Sequence, residues 1–167
     1  MAITYKLISK NILSATTTTI TLSSIPTTYT HLKLFISDRG SSTVLDASEL
    51  WLNGGNANSY VNGYVDANDG GSPRSGQAGY YQNITVPSNY GTNIFGFTEI
   101  VIPNYTGSQE KNIASLFNTE NSASNQYNGL SRTFTAVTSA VSSLALNIRN
   151  GTFVVGTSMH LYGLSNT

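Results

Sequence analysis

A chain of 167 residues suits one domain and buries roughly 70% of the surface its unfolded form exposes, enough for a core without staples. Lys+Arg and Asp+Glu number 8 each, 10% of the chain with zero net charge, against about 25% charged residues in ordinary domains. That scarcity excludes the counterion release that drives nucleic-acid binding and any strong attraction to an anionic membrane surface. With no cysteine, disulfides, thiolate metal sites and cysteine nucleophiles are excluded as well.

The chain opens with Met1-Ala2-Ile3-Thr4-Tyr5-Lys6-Leu7-Ile8-Ser9-Lys10. Lysines interrupt this segment and no apolar stretch of about 7–15 residues follows, so no secretory signal is expected. No later run approaches the ~18–20 apolar residues of a membrane-spanning helix, and the expected site of synthesis is a cytoplasm. Ile3 to Ile8 alternates, with Ile3, Tyr5 and Leu7 on one face. Such a terminal strand either completes its own sheet or augments the edge of a neighbour's, which makes those three residues candidate interface positions.

Period-two alternation then recurs at short intervals. Thr18 to Leu22 sets Ile20 and Leu22 on one face, and His31 to Ser37 sets Leu32, Leu34 and Ile36 inward with His31, Lys33 and Phe35 outward. In Glu49 to Asn53, Leu50 and Leu52 oppose Trp51. Tyr80 to Val86, Ile94 to Ile102, Asn112 to Phe117, Ser131 to Val137, Ser142 to Ile148 and Ser158 to Leu164 read as further strands. Ser108 to Phe117 also admits a helical turn. Asn-Gly at 53–54, 62–63, 128–129 and 150–151 supplies the dipeptide best suited to turns with positive φ. Residues 66–79, rich in Asp, Gly and Ser, read as a surface loop. Thr, Ser and Asn fill roughly a third of the chain and favour strands and tight turns over helices. The expectation is an all-β fold: a single β-sandwich of jelly-roll type over 1–167, with about eight to ten short antiparallel strands.

Catalytic patterns are weak. His31 and His160 both fall in alternating strands, and no nucleophile elbow, metal-binding His pair or phosphate-cradling glycine loop is present. Asp46 with Glu49, or Asp66 with Asp69, would need a separation of about 5–9.5 Å across a cleft to act as a glycosidase pair. Asp66 to Gln77 resembles a calcium loop at positions one, three and six, but Gly70 at position five has no side-chain oxygen and Gln77 replaces the bidentate Glu at position twelve. The expectation is therefore no enzyme, no metal and no cofactor. Tyr60, Tyr64, Tyr80, Tyr81 and Tyr90 cluster in the Asn/Gly-rich middle of the chain. They suit capping of the sandwich ends, a protein interface or stacking on sugars.

Several short motifs occur in a fixed order: Ser24-Ile25-Pro26-Thr27-Thr28-Tyr29-Thr30-His31-Leu32, Ile36-Ser37-Asp38-Arg39, Leu52-Asn53-Gly54 with Asn58-Ser59-Tyr60, Asn93-Ile94-Phe95-Gly96, Ile102-Pro103-Asn104-Tyr105 with Lys111, and the closing Gly156 to Leu164. In this order the chain resembles jelly-roll virion proteins of tailed phages, such as those of cyanobacterial hosts. The resemblance implies a structural component of a bacteriophage virion, a capsid decoration protein, a head fibre or a tail-associated fibre domain, without choosing among them. The absence of the coiled-coil heptads that join fibre shafts tilts the expectation to the capsid exterior. A decoration (cement) protein, self-associated as a homotrimer and bound to the major capsid protein, is the first expectation. A tail or head fibre, or a receptor- or glycan-binding domain, is the alternative.

Overall fold

The computed structural model describes residues 3–55, 60–68, 74–76, 83–119 and 127–166. Among these residues there is no helix, and twelve strands form two antiparallel sheets. They are β1 (Ile3–Ile12), β2 (Thr19–Leu22), β3 (His31–Asp38), β4 (Asp46–Leu52), β5 (Tyr60–Asn68), β6 (Arg74–Gly76), β7 (Asn83–Thr85), β8 (Gly96–Pro103), β9 (Lys111–Thr119), β10 (Tyr127–Thr135), β11 (Leu144–Ile148) and β12 (Ser158–Asn166). The large sheet runs β1-β12-β3-β8-β9-β10-β5-β6 and the small one β2-β11-β4-β7. Pairing is nested along the chain: β1 with β12, β2 with β11, β3 with β8, β4 with β7 and β5 with β6. Strands β9 and β10 widen the large sheet between β8 and β5.

Alternation explains which side of each strand is buried. In β3, Leu32, Leu34 and Ile36 lie inward at 1% exposure or less. They meet Ile20 and Leu22 of β2, Leu50 and Leu52 of β4, and Leu144, Leu146 and Ile148 of β11 in one core shared by both sheets. Tyr105 and Phe153 fill it from connecting segments. Farther along the large sheet the inner face turns polar. Ser115, Thr119, Ser131, Thr133 and Thr135 are buried there beside Ile113 and Phe117, with the Ser115 and Ser131 hydroxyls 2.7 Å apart, so small hydroxyls satisfy one another next to the apolar packing.

Four expectations are corrected. The Asn-Gly pairs at 53–54 and 150–151 do lie in turns, with φ of 53° at Asn53, 72° at Gly54 and 74° at Gly151. Asn62-Gly63 and Asn128-Gly129 instead lie inside β5 and β10, in register with each other's strand (Asn62 opposite Thr133, Gly129 opposite Asp66). A dipeptide that permits a turn does not force one when alternation continues on both sides. The supposed loop 66–79 is partly strand: Asp66 pairs with Arg74 and Tyr64 with Gly76. Lys111–Thr119 is strand throughout, not a helical turn. These additions carry the strand count above the expected eight to ten.

Candidate functional site

The strand carrying Ile3, Tyr5 and Leu7 completes its own sheet, pairing along its length with β12. It is also the edge of that sheet, leaving its other side open to a further strand. A bulge between Leu7 and Ser9 shifts the register, and its consequence is specific. Tyr5 and Leu7 pair with Leu164 and Tyr162, while Lys10 and Ile12 pair with His160 and Ser158, so odd and then even positions of β1 share one outer face. Without the extra residue Ile12 would point inward.

That outer face of the large sheet is unusually apolar. Of nine large hydrophobic residues exposed among the described residues, seven lie on it: Tyr5, Leu7, Ile12, Phe97, Leu116, Leu130 and Phe134. Leu130 and Leu116 are 59% and 50% exposed and directly opposite each other on β10 and β9. Phe35 stacks on Phe97 with centroids 6.0 Å apart and meets the edge of Tyr162 at 5.7 Å, joining β12, β3 and β8 into one aromatic ridge. Charge on the face is sparse, with Lys10, Lys33 and Arg132 against Glu99 alone among the described residues. Lys33 Nζ lies 2.7 Å from Glu99 Oε1 and within 5.1 and 5.5 Å of the Phe35 and Tyr5 ring centres. The Glu99 carboxylate holds the Lys33 ammonium above its ordinary pKa. Arg132 covers Phe134 at 4.9 Å, an exposed cation–π contact.

Of the other sequence candidates, His31 and His160 share this outer face with Phe35. Tyr60 and Tyr64 lie in β5, Tyr80 and Tyr81 fall outside the described residues, and Tyr90 is half-buried in the segment between β7 and β8. That segment is held by buried Arg39, whose guanidinium donates to the carbonyls of Gly91, Ser88 (2.6 Å) and Ile94 (3.4 Å). His31 accepts a hydrogen bond from the Asn104 backbone N–H at 3.1 Å. His160 stands opposite Phe35. Asp46 clamps a turn, accepting from the backbone N–H groups of Ala47 and Asn150, each at 2.8 Å. In β4 it shares the inward parity of Leu50 and Leu52, while Glu49 faces outward, so the two carboxylates do not face one cleft. Asp66 ends up in β5, and Asp69, Gly70 and Gln77 fall outside the described residues. Among the described residues no three His, Cys, Asp or Glu side chains gather as a metal site.

Sequence reading missed a second cluster, on the outer face of the small sheet. There Trp51, Glu49, Arg149, Asn147, Thr18 and Thr19 line an open groove of about 380 Å³. The placement of Trp51 opposite Leu50 and Leu52 is visible in the sequence. Glu49 is two residues from it, but Thr18 and Thr19 lie about thirty residues away and Asn147 and Arg149 about a hundred, and the β2-β11-β4 register sets them beside it.

The fold is thus an all-β protein of two antiparallel sheets. Compared with protein-family models, curated proteins and solved structures, the chain matches none of them.

Proposed function

We propose that this protein is a structural assembly component, a decoration (cement) protein on the outer surface of a phage capsid. In this reading it self-associates through the outer face of the large sheet and rests on the major capsid protein. The observation that carries the reading is the concentration of exposed Tyr, Leu, Ile and Phe on that one face. Contiguous apolar surface of this kind marks an interaction site. Six strands from β1 to β10 at ~4.8 Å spacing, each exposing ~23 Å of length, give a face of about 550 Å². Covering it on two copies buries about 1,100 Å², just above the ~1,000 Å² expected of a specific interface. Zero net charge favours association further.

The nested order of strands supports the jelly-roll description. Rolling one long hairpin so that β2/β11 and β4/β7 fall in one sheet and β3/β8 and β5/β6 in the other yields the two-sheet, double Greek-key arrangement of that class. Its virion setting comes from the resemblance of the ordered motifs, and three copies around a three-fold axis is the order expected on an icosahedral shell. Light scattering of the purified protein should give an oligomer, and Leu116→Asp with Leu130→Asp should give a folded species of one chain. The wild type should co-sediment with empty capsids of its phage. A wild-type monomer that ignores capsids would overturn the proposal.

A further inference from the structure

On the opposite side of the sandwich, the outer face of the small sheet is built differently. Cross-strand register places Ala145 between Thr21 and Trp51, and Asn147 between Thr19 and Glu49. The small Ala145 side chain leaves the flank of Trp51 uncrowded, and the second row supplies hydrogen-bonding groups beside it. Those groups are already oriented. The Trp51 indole N–H donates to Glu49 Oε2 at 3.1 Å, and the Thr19 hydroxyl donates to Asn147 Oδ1 at 2.7 Å. Arg149 Nε sits 3.7 Å from Glu49 Oε1. Each carboxylate oxygen has a second lone pair, and the Asn147 amide and Arg149 guanidinium carry several N–H donors.

From this geometry we infer that the Trp51 groove is a binding site for a neutral saccharide. A half-buried indole offers a flat apolar wall to the C–H face of a sugar ring. A row of fixed acceptors and donors suits hydroxyl groups, each of which both gives and takes a hydrogen bond. Glu49 and Arg149 neutralise each other, so the groove has no net charge with which to attract an anion. The volume falls at the lower end of the ~300–1,000 Å³ typical of small-molecule sites, which fits one or two sugar units and not a peptide. The groups are pre-positioned, so binding costs little ordering of side chains. The site faces away from the apolar face of the large sheet and stays accessible in an assembly that covers that face.

Trp51 is the single tryptophan of the chain, so its emission reports on this groove alone. The test is a titration of the wild-type protein with N-acetylglucosamine, methyl mannoside, methyl galactoside and glucose, with inorganic phosphate as the charged comparison. At least one sugar is expected to shift or quench the emission saturably, with phosphate silent. Calorimetry on Asn147→Ala and Glu49→Gln, each first checked for native circular dichroism, should show about tenfold weaker binding of that sugar. Trp51→Leu should abolish it. No saturable response to any of the four sugars, a response to phosphate instead, or full affinity in folded Asn147→Ala and Glu49→Gln would each overturn the assignment.

Discussion

Gly163 lies in the middle of β12, opposite Leu32 on one side and Lys6 on the other, and its backbone is not among those with positive φ. Alanine is therefore acceptable to the main chain there. The obstacle is the ring of Tyr29, which packs directly on the Cα. A Cβ at this position would stand 2.2 Å from Tyr29 Cγ, 2.3 Å from Cδ2 and 2.6 Å from Cδ1, against ~3.5–4.0 Å for comfortable carbon contacts. The ring must leave. Tyr29 is half-buried against the core, so eviction re-exposes on the order of 100 Å², about 2.5 kcal/mol at ~25 cal/mol per Å². It also disturbs the weak 3.4 Å bond from the Tyr29 N–H to the Tyr105 hydroxyl. Gly163→Ala should cost about 2–4 kcal/mol, or roughly a 5–12 °C fall in Tm for a domain of this size.

The decisive measurement is a double-mutant cycle by urea unfolding. Tyr29→Ala alone should cost a similar amount, and adding Gly163→Ala to it should cost almost nothing more, because the clash has gone. The resulting coupling should be at least ~2 kcal/mol. A Gly163→Ala protein within ~0.5 kcal/mol of wild type, or additive costs in the double variant, would refute the packing argument.

Arg39→Met should destabilise by about 3 kcal/mol, since it strands the carbonyls of Ser88, Gly91 and Ile94 that the guanidinium serves, at ~1.5–3 kcal/mol per charged hydrogen bond with incomplete additivity; hydrogen exchange should rise between residues 87 and 95, and unchanged exchange there would sink the reading. Alkaline stability follows three shifted groups. Glu99 raises Lys33 above 10.5 and burial raises Tyr105 above 10.0, so the folded state holds those protons longer than the unfolded one, and their contributions are lost as pH climbs through the folded values. Burial lowers Lys111 below 10.5, so its folded state sheds a proton early and stability gains as pH rises toward 10.5. Losses should dominate above about pH 10.5, and Tyr105→Phe should flatten that loss; an identical alkaline slope in the variant would contradict the assignment.

Much of the sheet was legible because burial on one face imposes strict alternation. His31 to Ser37 announces its inward Leu32, Leu34 and Ile36, and Ser158 to Leu164 behaves the same way. What failed was local turn chemistry read without its partners. Asn62-Gly63 and Asn128-Gly129 have the residues of a turn, yet β5 and β10 lie beside each other and each strand supplies the other's hydrogen bonds. The outer apolar face was half legible: Phe35 and Lys33 were assigned outward, and Tyr5 and Leu7 to a shared face. The bulge that brings Ile12 onto that face is a register event with no residue signature. The Trp51 groove needed Asn147 and Thr19 to be neighbours, a fact of strand order alone.

Sheet width connects these observations. The small sheet has four strands and the large one eight, so the small sheet covers only part of the large sheet's inner surface, and the inner side of β9 and β10 carries Ser115, Thr119, Ser131, Thr133 and Thr135 beside Ile113 and Phe117. Three further large apolar residues of those strands, Leu116, Leu130 and Phe134, stand outward on the other side. A protein with only 16 charged residues, 8 of each sign, has little charge with which to keep such a face solvated, and zero net charge removes the mutual repulsion that keeps monomers apart. Covering the face is therefore the cheapest way to lower its free energy, and the open edge of β1 beside it offers backbone hydrogen bonds to whatever covers it. The small sheet faces the other way and carries an aromatic ring set among balanced, hydrogen-bonded polar groups. That surface is polar and balanced, so the proposed assembly through the apolar face would leave the proposed ligand groove uncovered.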